Sequence, residues 1–124
     1  MTHPASVVVA IDDDRRVRDS LQSVLESAGY AAELFASAEA FLSSGAIIRA
    51  GCAIVDVRLP GMDGLELQRR IRRERPALPV IVVTAHDDDE TRRQAMEGGA
   101  VAFMVKPFDA AELLERVEAA MKAG

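Results

Sequence analysis

The 124-residue sequence contains no tryptophan, one tyrosine, two histidines and a single cysteine, Cys52. One cysteine excludes an internal disulfide, and its apolar surroundings "GCAIVD" favour a small buried residue over a reactive thiol. His3 and His86 are too few for a histidine-based metal site. Because nothing in the cysteine usage indicates an oxidising compartment, we expect a cytoplasmic protein.

Long apolar runs and an excess of positive charge are also missing. No run approaches the ~20 residues that span a bilayer, and the start "MTHPAS" lacks the basic and apolar parts of a signal peptide. The net charge is -5, so no general basic surface suggests an anionic partner. We therefore expect neither membrane association nor direct nucleic acid binding by this chain.

What the chain does contain fits one ordinary globular domain. Its hydrophobic content is 49% and its charged content is 28%, values that argue against disorder. The length suits a single core. We therefore predict one domain over residues 1–124 and no second domain in this chain.

Short apolar runs alternate with longer amphipathic segments along the whole sequence. The apolar runs predict five strands, at residues 7–11, 31–35, 52–57, 80–84 and 101–105. Strands that alternate with helices indicate a parallel sheet with right-handed crossovers. The unbroken apolar character of "VVVAI" and "VIVVT" further requires helices on both faces of that sheet.

Helix starts and ends are marked by capping residues. Ser37 precedes a short helix, and Asp63 with Glu66 forms a capping-box pattern before "GLELQRRIRR". Asp109 and Glu112 repeat the pattern before the last helix. These signals support the alternation of strands and helices.

Polar side chains follow four of the five predicted strands. In an open parallel sheet, sites form beyond the carboxyl ends of the strands. An aspartate after a strand is more often a turn or cap residue, but several polar strand ends on one edge are harder to explain by chance. The polar residues concerned are Asp12, Asp13, Asp56, Thr84 and Lys106, and Ala85 directly follows Thr84.

Three carboxylates close together repel one another. Lys106 offsets one charge, and a divalent cation would offset the others. Magnesium prefers a few carboxylates together with water and a phosphoryl oxygen. A carboxylate can itself act as the nucleophile that becomes an aspartyl phosphate, while Thr84 and Lys106 would hold the phosphoryl oxygens.

Four segments resemble the receiver domain of bacterial two-component response regulators, the CheY-like superfamily: "IDDD", "VDVRLPGMDGLEL", "VIVVTAH" and "GGAVAFMVKPF". The resemblance runs from about Val7 to Met121. It implies an α/β fold of the flavodoxin-like, doubly wound (βα)5 type, with five parallel strands in the order 2-1-3-4-5 and helices on both faces.

The resemblance also implies a role for each site residue. Asp56 would be the phosphoacceptor, and Thr84 the switch hydroxyl that the aromatic Phe103 follows. The Mg²⁺ ligands would be Asp13, Asp56 and the backbone carbonyl of Arg58, with Asp12 acting through water. Around the phosphoryl group would lie Ala85, Lys106 and a cis peptide at Pro107.

The implied function is that of a phosphoacceptor switch. A sensor histidine kinase would transfer a phosphoryl group from its phosphohistidine to Asp56 in a Mg²⁺-dependent reaction. The surface of the fourth helix, fifth strand and fifth helix would then rearrange, and a phosphorylation-dependent homodimer through this surface is a candidate interaction. Such a domain is not an enzyme for external substrates, since it catalyses only its own phosphorylation and dephosphorylation.

Three segments, "FASAEAFL", "DVRLPGMDGLELQ" and "VTAH", are most similar in sequence to the FixJ-type subfamily. Members of that subfamily usually carry a C-terminal DNA-binding helix-turn-helix. The resemblance therefore leaves two possibilities, a stand-alone receiver or a receiver whose output domain, controlling transcription, lies outside these 124 residues.

Two other functions compete with this interpretation. A haloacid-dehalogenase-type aspartyl phosphatase would also use an Asp-x-Asp start, but Arg15 and Arg16 follow where that family has smaller residues. A pseudo-receiver that only binds a partner would not need Asp13, Asp56, Thr84 and Lys106 together. The resemblance also implies that the side chains of Arg58 and His86 flank the phosphoryl group and influence the lifetime of the phosphorylated state.

Overall fold

The structure, a computed structural model, describes residues 7–123. Its five strands are all parallel and follow the order β2-β1-β3-β4-β5. This topology confirms the predicted doubly wound sheet. The strands are β1 (Val7–Ile11), β2 (Ala31–Phe35), β3 (Ala50–Asp56), β4 (Val80–Thr84) and β5 (Ala102–Val105).

Five α-helices cover both faces of the sheet in the described part of the chain, four of them between strands and the fifth after β5. They are α1 (Arg15–Ser27), α2 (Ala38–Ser44), α3 (Gly64–Glu74), α4 (Asp89–Glu97) and α5 (Ala110–Ala123). None of them, within residues 7–123, combines the length and apolar character that a bilayer crossing needs.

The alternation of side chains along β1 shows why two layers of helices are needed. Val9 and Ile11 point into one apolar cluster, which includes residues of α2, α3 and α4. Val8 and Ala10 point into a second cluster, which includes residues of α1 and α5. Successive strand residues face opposite sides of the sheet, so an unbroken apolar strand is buried only when both sides are covered.

The predicted caps are found at the helix starts. Ser37 accepts a hydrogen bond from the backbone N–H of Ala40, and Asp63 and Glu66 form a complete capping box. Asp109 accepts from the N–H of Ala111. Cys52 is buried, which confirms the expectation of a small core residue, and its burial raises the pKa of the thiol to about 12.

The structure departs from the predicted boundaries in the region before β3. That strand begins at Ala50 rather than at residue 52, and a one-turn 3-10 helix, Ala46–Ile48, precedes it. Gly45, with φ of 75°, permits the sharp turn. The guanidinium of Arg75 donates to the carbonyls of Ile47 and Ala50 and holds this turn against the end of α3.

Candidate functional site

Three carboxylates meet at the carboxyl edge of the sheet. Asp12 and Asp13 follow β1, and Asp56 is the last residue of β3. One carboxylate oxygen from each lies within 4.8 Å of the others. Neighbouring parallel strands therefore bring together, across the sheet edge, acids that are more than forty residues apart in sequence.

Lys106 enters this acidic group from the end of β5. Its Nζ lies 2.7 Å from Oδ2 of Asp12 and 3.3 Å from Oδ2 of Asp56. Asp12 is 1% exposed and Asp56 is 4% exposed. One ammonium therefore serves two buried carboxylates, and the site retains an excess of negative charge.

The electrostatics of Asp56 follow from this arrangement. Burial raises the pKa of its carboxyl group, and the neighbouring Asp12 raises it further, whereas Lys106 opposes both effects. Burial alone would lower the pKa of Lys106, but its contacts with Asp12 and Asp56 outweigh burial and raise it. Lys106 therefore stays charged, and a second cation would relieve the remaining repulsion.

Asp12 and Asp13 are neighbours in sequence but differ in their surroundings. The Oδ1 of Asp12 accepts the N–H of Asp14 at 2.9 Å, and its Oδ2 accepts from Lys106. Asp13 is exposed and lines an open cleft of about 520 Å³, together with Arg58, Thr84 and other residues. Asp12 is thus committed to protein contacts, while Asp13 faces the cleft.

Thr84 ends β4 on the wall of the same cleft. Its side chain is buried, and its hydroxyl oxygen accepts a hydrogen bond from the backbone N–H of His86 at 3.1 Å. Ala85, between them, is exposed. Two residues before the end of β5, Phe103 is half-buried, and the guanidinium of Arg92 lies 4.7 Å from its ring centroid.

The loop after β3 is held close to Asp56. The N–H of Arg58 lies 3.4 Å from Oδ1 of Asp56, and the N–H of Gly64 donates to the carbonyl of Val57 at 2.9 Å. A Cβ on Gly64 would lie 2.0 Å from the backbone oxygen of Asp56. Only glycine permits this approach. The glycine at the first position of α3 is visible in the sequence, but the contact that requires it was not predicted.

A side chain from α2 supports the same loop. Glu39 accepts the N–H of Met62 at 2.8 Å, and this hydrogen bond lowers the pKa of the Glu39 carboxyl group. The sequence offered no signal for this contact, since the two residues lie in different elements. At the far side of the site, the Lys106–Pro107 peptide is cis.

The sequence of residues 8–118 matches the response regulator receiver domain. The chain belongs to this family. It is 40% identical, over 93% of its length, to 56% of the transcriptional regulatory protein FixJ of Bradyrhizobium diazoefficiens. It is 39% identical, over 98% of its length, to 54% of the response regulator protein TodT of Pseudomonas putida.

Solved receiver domains share the fold. The BeF3-activated DrrB receiver domain superposes with a TM-score of 0.87 at 30% identity, covering 94% of this chain and 97% of that one. The NtrX receiver domain of Brucella abortus gives 0.88 at 28% identity, covering 94% and 99%. The receiver domain spans about half the length of the curated relatives that it matches.

The family assignment confirms the resemblance seen in the sequence and does not support the haloacid-dehalogenase alternative. The structure adds a local reason. Asp14, which would complete an Asp-x-Asp start, accepts the N–H of Arg16 and is the N-cap of α1. Its side chain is therefore occupied in starting the helix of this receiver domain.

Proposed function

We propose that Asp56 of this receiver domain accepts a phosphoryl group from the phosphohistidine of a sensor histidine kinase. One oxygen of its carboxylate would form a bond to phosphorus while the phosphorus–nitrogen bond of the donor breaks and leaves its electron pair on the imidazole. The observation that supports this most directly is the position of Asp56. Its carboxylate is buried at the end of β3 and pairs with the ammonium of Lys106.

The acidic cluster suits a magnesium ion. Three carboxylates and one ammonium leave a surplus of negative charge, and oxygen ligands of this kind are those that Mg²⁺ prefers. We propose Asp13 and Asp56 as direct ligands, with the backbone carbonyl of Arg58, and Asp12 through water. When bound, Mg²⁺ would offset the charge of the phosphoryl oxygens.

Lys106 and Thr84 would supply the remaining contacts to the phosphoryl group. The Lys106 ammonium already lies against Asp56 and would pair with a phosphoryl oxygen. The Thr84 hydroxyl and the N–H of Ala85 would donate to another. If the Thr84 hydroxyl moved toward the phosphoryl group, it would leave space behind it. The ring of Phe103, on the neighbouring strand β5, would then move into that space.

The consequence would be a change of the surface formed by α4, β5 and α5. We propose that this surface controls an output, which is transcription if a helix-turn-helix domain follows, and that it forms a homodimer after phosphorylation. The FixJ relatives, named as transcriptional regulatory proteins, are matched over only 56% of their own length. The domain would catalyse only its own phosphorylation and dephosphorylation, in the cytoplasm, where a kinase has access to ATP.

Asp56→Asn tests the assignment of the phosphoacceptor. With Mg²⁺ and acetyl phosphate, the wild-type protein should gain the mass of one phosphoryl group in intact-protein mass spectrometry, and this gain should be lost in the variant. Asp14→Asn is the matched control, because it removes a nearby carboxylate while asparagine still caps a helix. Equal labelling of Asp56→Asn and wild type would contradict the proposal.

Asp13→Ala tests the magnesium ligands separately. We expect the Mg²⁺-dependent shifts of backbone amides around residues 12, 56 and 58 to require much higher Mg²⁺ concentrations in this variant. NMR is suited to the measurement because the chain has no tryptophan to report on the site. An unchanged titration would remove Asp13 from the ligand set and leave the role of Asp56 intact.

A further inference from the structure

Arg92, on α4, contacts two elements that flank the candidate site. Its guanidinium carbon lies 4.7 Å from the centroid of the Phe103 ring on β5. The same guanidinium donates from Nη2 to Oδ1 of Asp87 at 2.8 Å. Asp87 belongs to the loop that leads from Thr84 to α4. A single side chain therefore joins the aromatic residue of β5 to the loop that leaves the site.

The neighbouring Arg93 has the same charge and lies on the same helix but makes different contacts. Its guanidinium pairs with Glu90 and Glu97, both within α4. It therefore stabilises the helix without joining it to another element. The pair of arginines thus offers an internal comparison between a contact across elements and a contact within one.

We propose that Arg92 is a positioning residue that holds Phe103 and the β4–α4 loop in the conformation seen in this structure and thereby opposes the switch. The inference rests on the proposed function, because the switch is the movement of Thr84 and Phe103 after phosphorylation of Asp56. A contact shifts a conformational equilibrium only when it differs between the two states. If the ring moves inward, it leaves the guanidinium, and the stacking contact is lost.

The size of the effect follows from exposure. The Arg92 side chain is 47% exposed and that of Asp87 is 59% exposed. Cation–π contacts and ion pairs at such exposed positions are weak. Together they shift a two-state ratio by about three- to tenfold, so Arg92 biases the equilibrium and does not lock it. A phosphoryl group, with its stronger charge contacts, can still override it.

Arg92→Gln tests this directly in the unphosphorylated protein. Scalar couplings of Phe103 report the populations of its χ1 rotamers by NMR, and we expect the ratio of rotamers to change by about three- to tenfold. Arg93→Gln is the matched control, since it removes the same charge from the same helix, and its rotamer ratio should equal that of wild type. Arg92→Lys keeps a cation and should give an intermediate ratio.

A second variant separates coupling through the ring from a general effect on α4. In a Phe103→Leu background, Arg92→Gln should change the extent to which acetyl phosphate shifts the amide resonances of α4 by clearly less than it does in the wild-type background, because only the contact with Asp87 remains to be lost. Equal rotamer ratios in Arg92→Gln and Arg93→Gln, or an effect of Arg92→Gln that is as large without the ring as with it, would overturn the proposal. Failure of the proposed function would appear differently, as an absence of labelling at Asp56 in the wild-type protein.

Discussion

Helices α3 and α4 cover the same face of the sheet but are attached to it very differently. α3 buries Gly64, Leu67, Gln68 and Ile71 and begins with a complete capping box. α4 buries one residue, Ala95. The two helices are also nearly the same length, at 11 and 9 residues, so the difference lies in packing and not in size.

The contrast matches the position of each helix relative to the site. α3 starts at Gly64, whose close approach to the Asp56 backbone fixes β3 and the helix to one another. α4 follows Thr84 after a short loop and has few buried apolar contacts. Segments with few such contacts open at low free-energy cost. The receiver domain therefore places a firmly packed helix and a loosely packed one on the two sides of a single site.

The largest expected difference concerns the glycines at the two helices. A Cβ at Gly64 meets the Asp56 backbone oxygen at 2.0 Å, whereas one at Gly98, after α4, meets the end of the Gln68 side chain at 3.0 Å. Backbone cannot yield as a side chain can. We expect Gly64→Ala to lower the free energy of unfolding by about 3 kcal/mol or more and Gly98→Ala by clearly less. Equal urea midpoints for the two variants would contradict the comparison.

Removing an apolar side chain from each helix should also separate them. Ile71 of α3 is fully buried, while Met96 of α4 is 47% exposed. Ile71→Ala should therefore cost about 2–5 kcal/mol of unfolding free energy, and Met96→Ala less than about 1 kcal/mol. Chemical denaturation measures both losses of unfolding free energy, provided that the m-values of the two variants equal that of the wild type. A cost for Met96→Ala close to that of Ile71→Ala would show that α4 is packed as firmly as α3.

Gln68 is the buried polar connection between the two helices. Its Nε2 donates to the carbonyl of Ala95 at 2.8 Å. That carbonyl also accepts the N–H of Ala100, so losing Gln68 leaves no unpaired acceptor there. Gln68→Met should therefore cost only about 1 kcal/mol. The clearest effect of this substitution should be faster hydrogen exchange of the α4 amides, with unchanged exchange of the α3 amides. Faster exchange in both helices would contradict the prediction.

The smallest effect should come from pH at the start of α4. Hydrogen bonds from Thr91 and Glu90 to the Asp88 cap lower the pKa of its carboxyl group below the usual 3.8. The stabilisation by the ionised cap is therefore complete above pH 3.8 and disappears as pH falls through the lowered pKa. Exchange of the first α4 amides, corrected for intrinsic rates, should rise in that range. Asp88→Asn, which still caps, should remove the dependence.

Part of this contrast can be predicted from the sequence. The Asp63–Glu66 capping box marks the start of α3, and Leu67 and Ile71 have the spacing of a core-facing helix, whereas "DDDETRRQAME" is mostly polar. The ends of β1 and β4 were also predicted correctly, because Asp12 directly follows the first apolar run, and Pro79 and Thr84 limit the second. Where an apolar or amphipathic segment was long enough and its ends were marked by capping or turn residues, the local sequence was sufficient to predict the element.

Contacts between distant segments could not be predicted in this way. The 3-10 turn Ala46–Ile48 has three residues, too few to show a repeating hydrophobic pattern. Ala50 and Gly51, which begin β3, have little preference for a strand. The stacking of Arg92 on Phe103 depends on how α4 is oriented over β5. Strand order placed the acids and Lys106 on one edge, but only three-dimensional packing shows that Asp12 is buried and Asp13 exposed.

The ion pair between Lys106 and Asp12 joins residues that are 94 positions apart. During synthesis, the acids of β1 and β3 emerge long before the lysine that follows β5. A partly made chain therefore carries the repelling carboxylates without their ammonium. Because this lysine arrives only after the last strand, a ribosome-bound or truncated chain lacks the assembled site, and the ability to receive a signal arrives together with the completed domain.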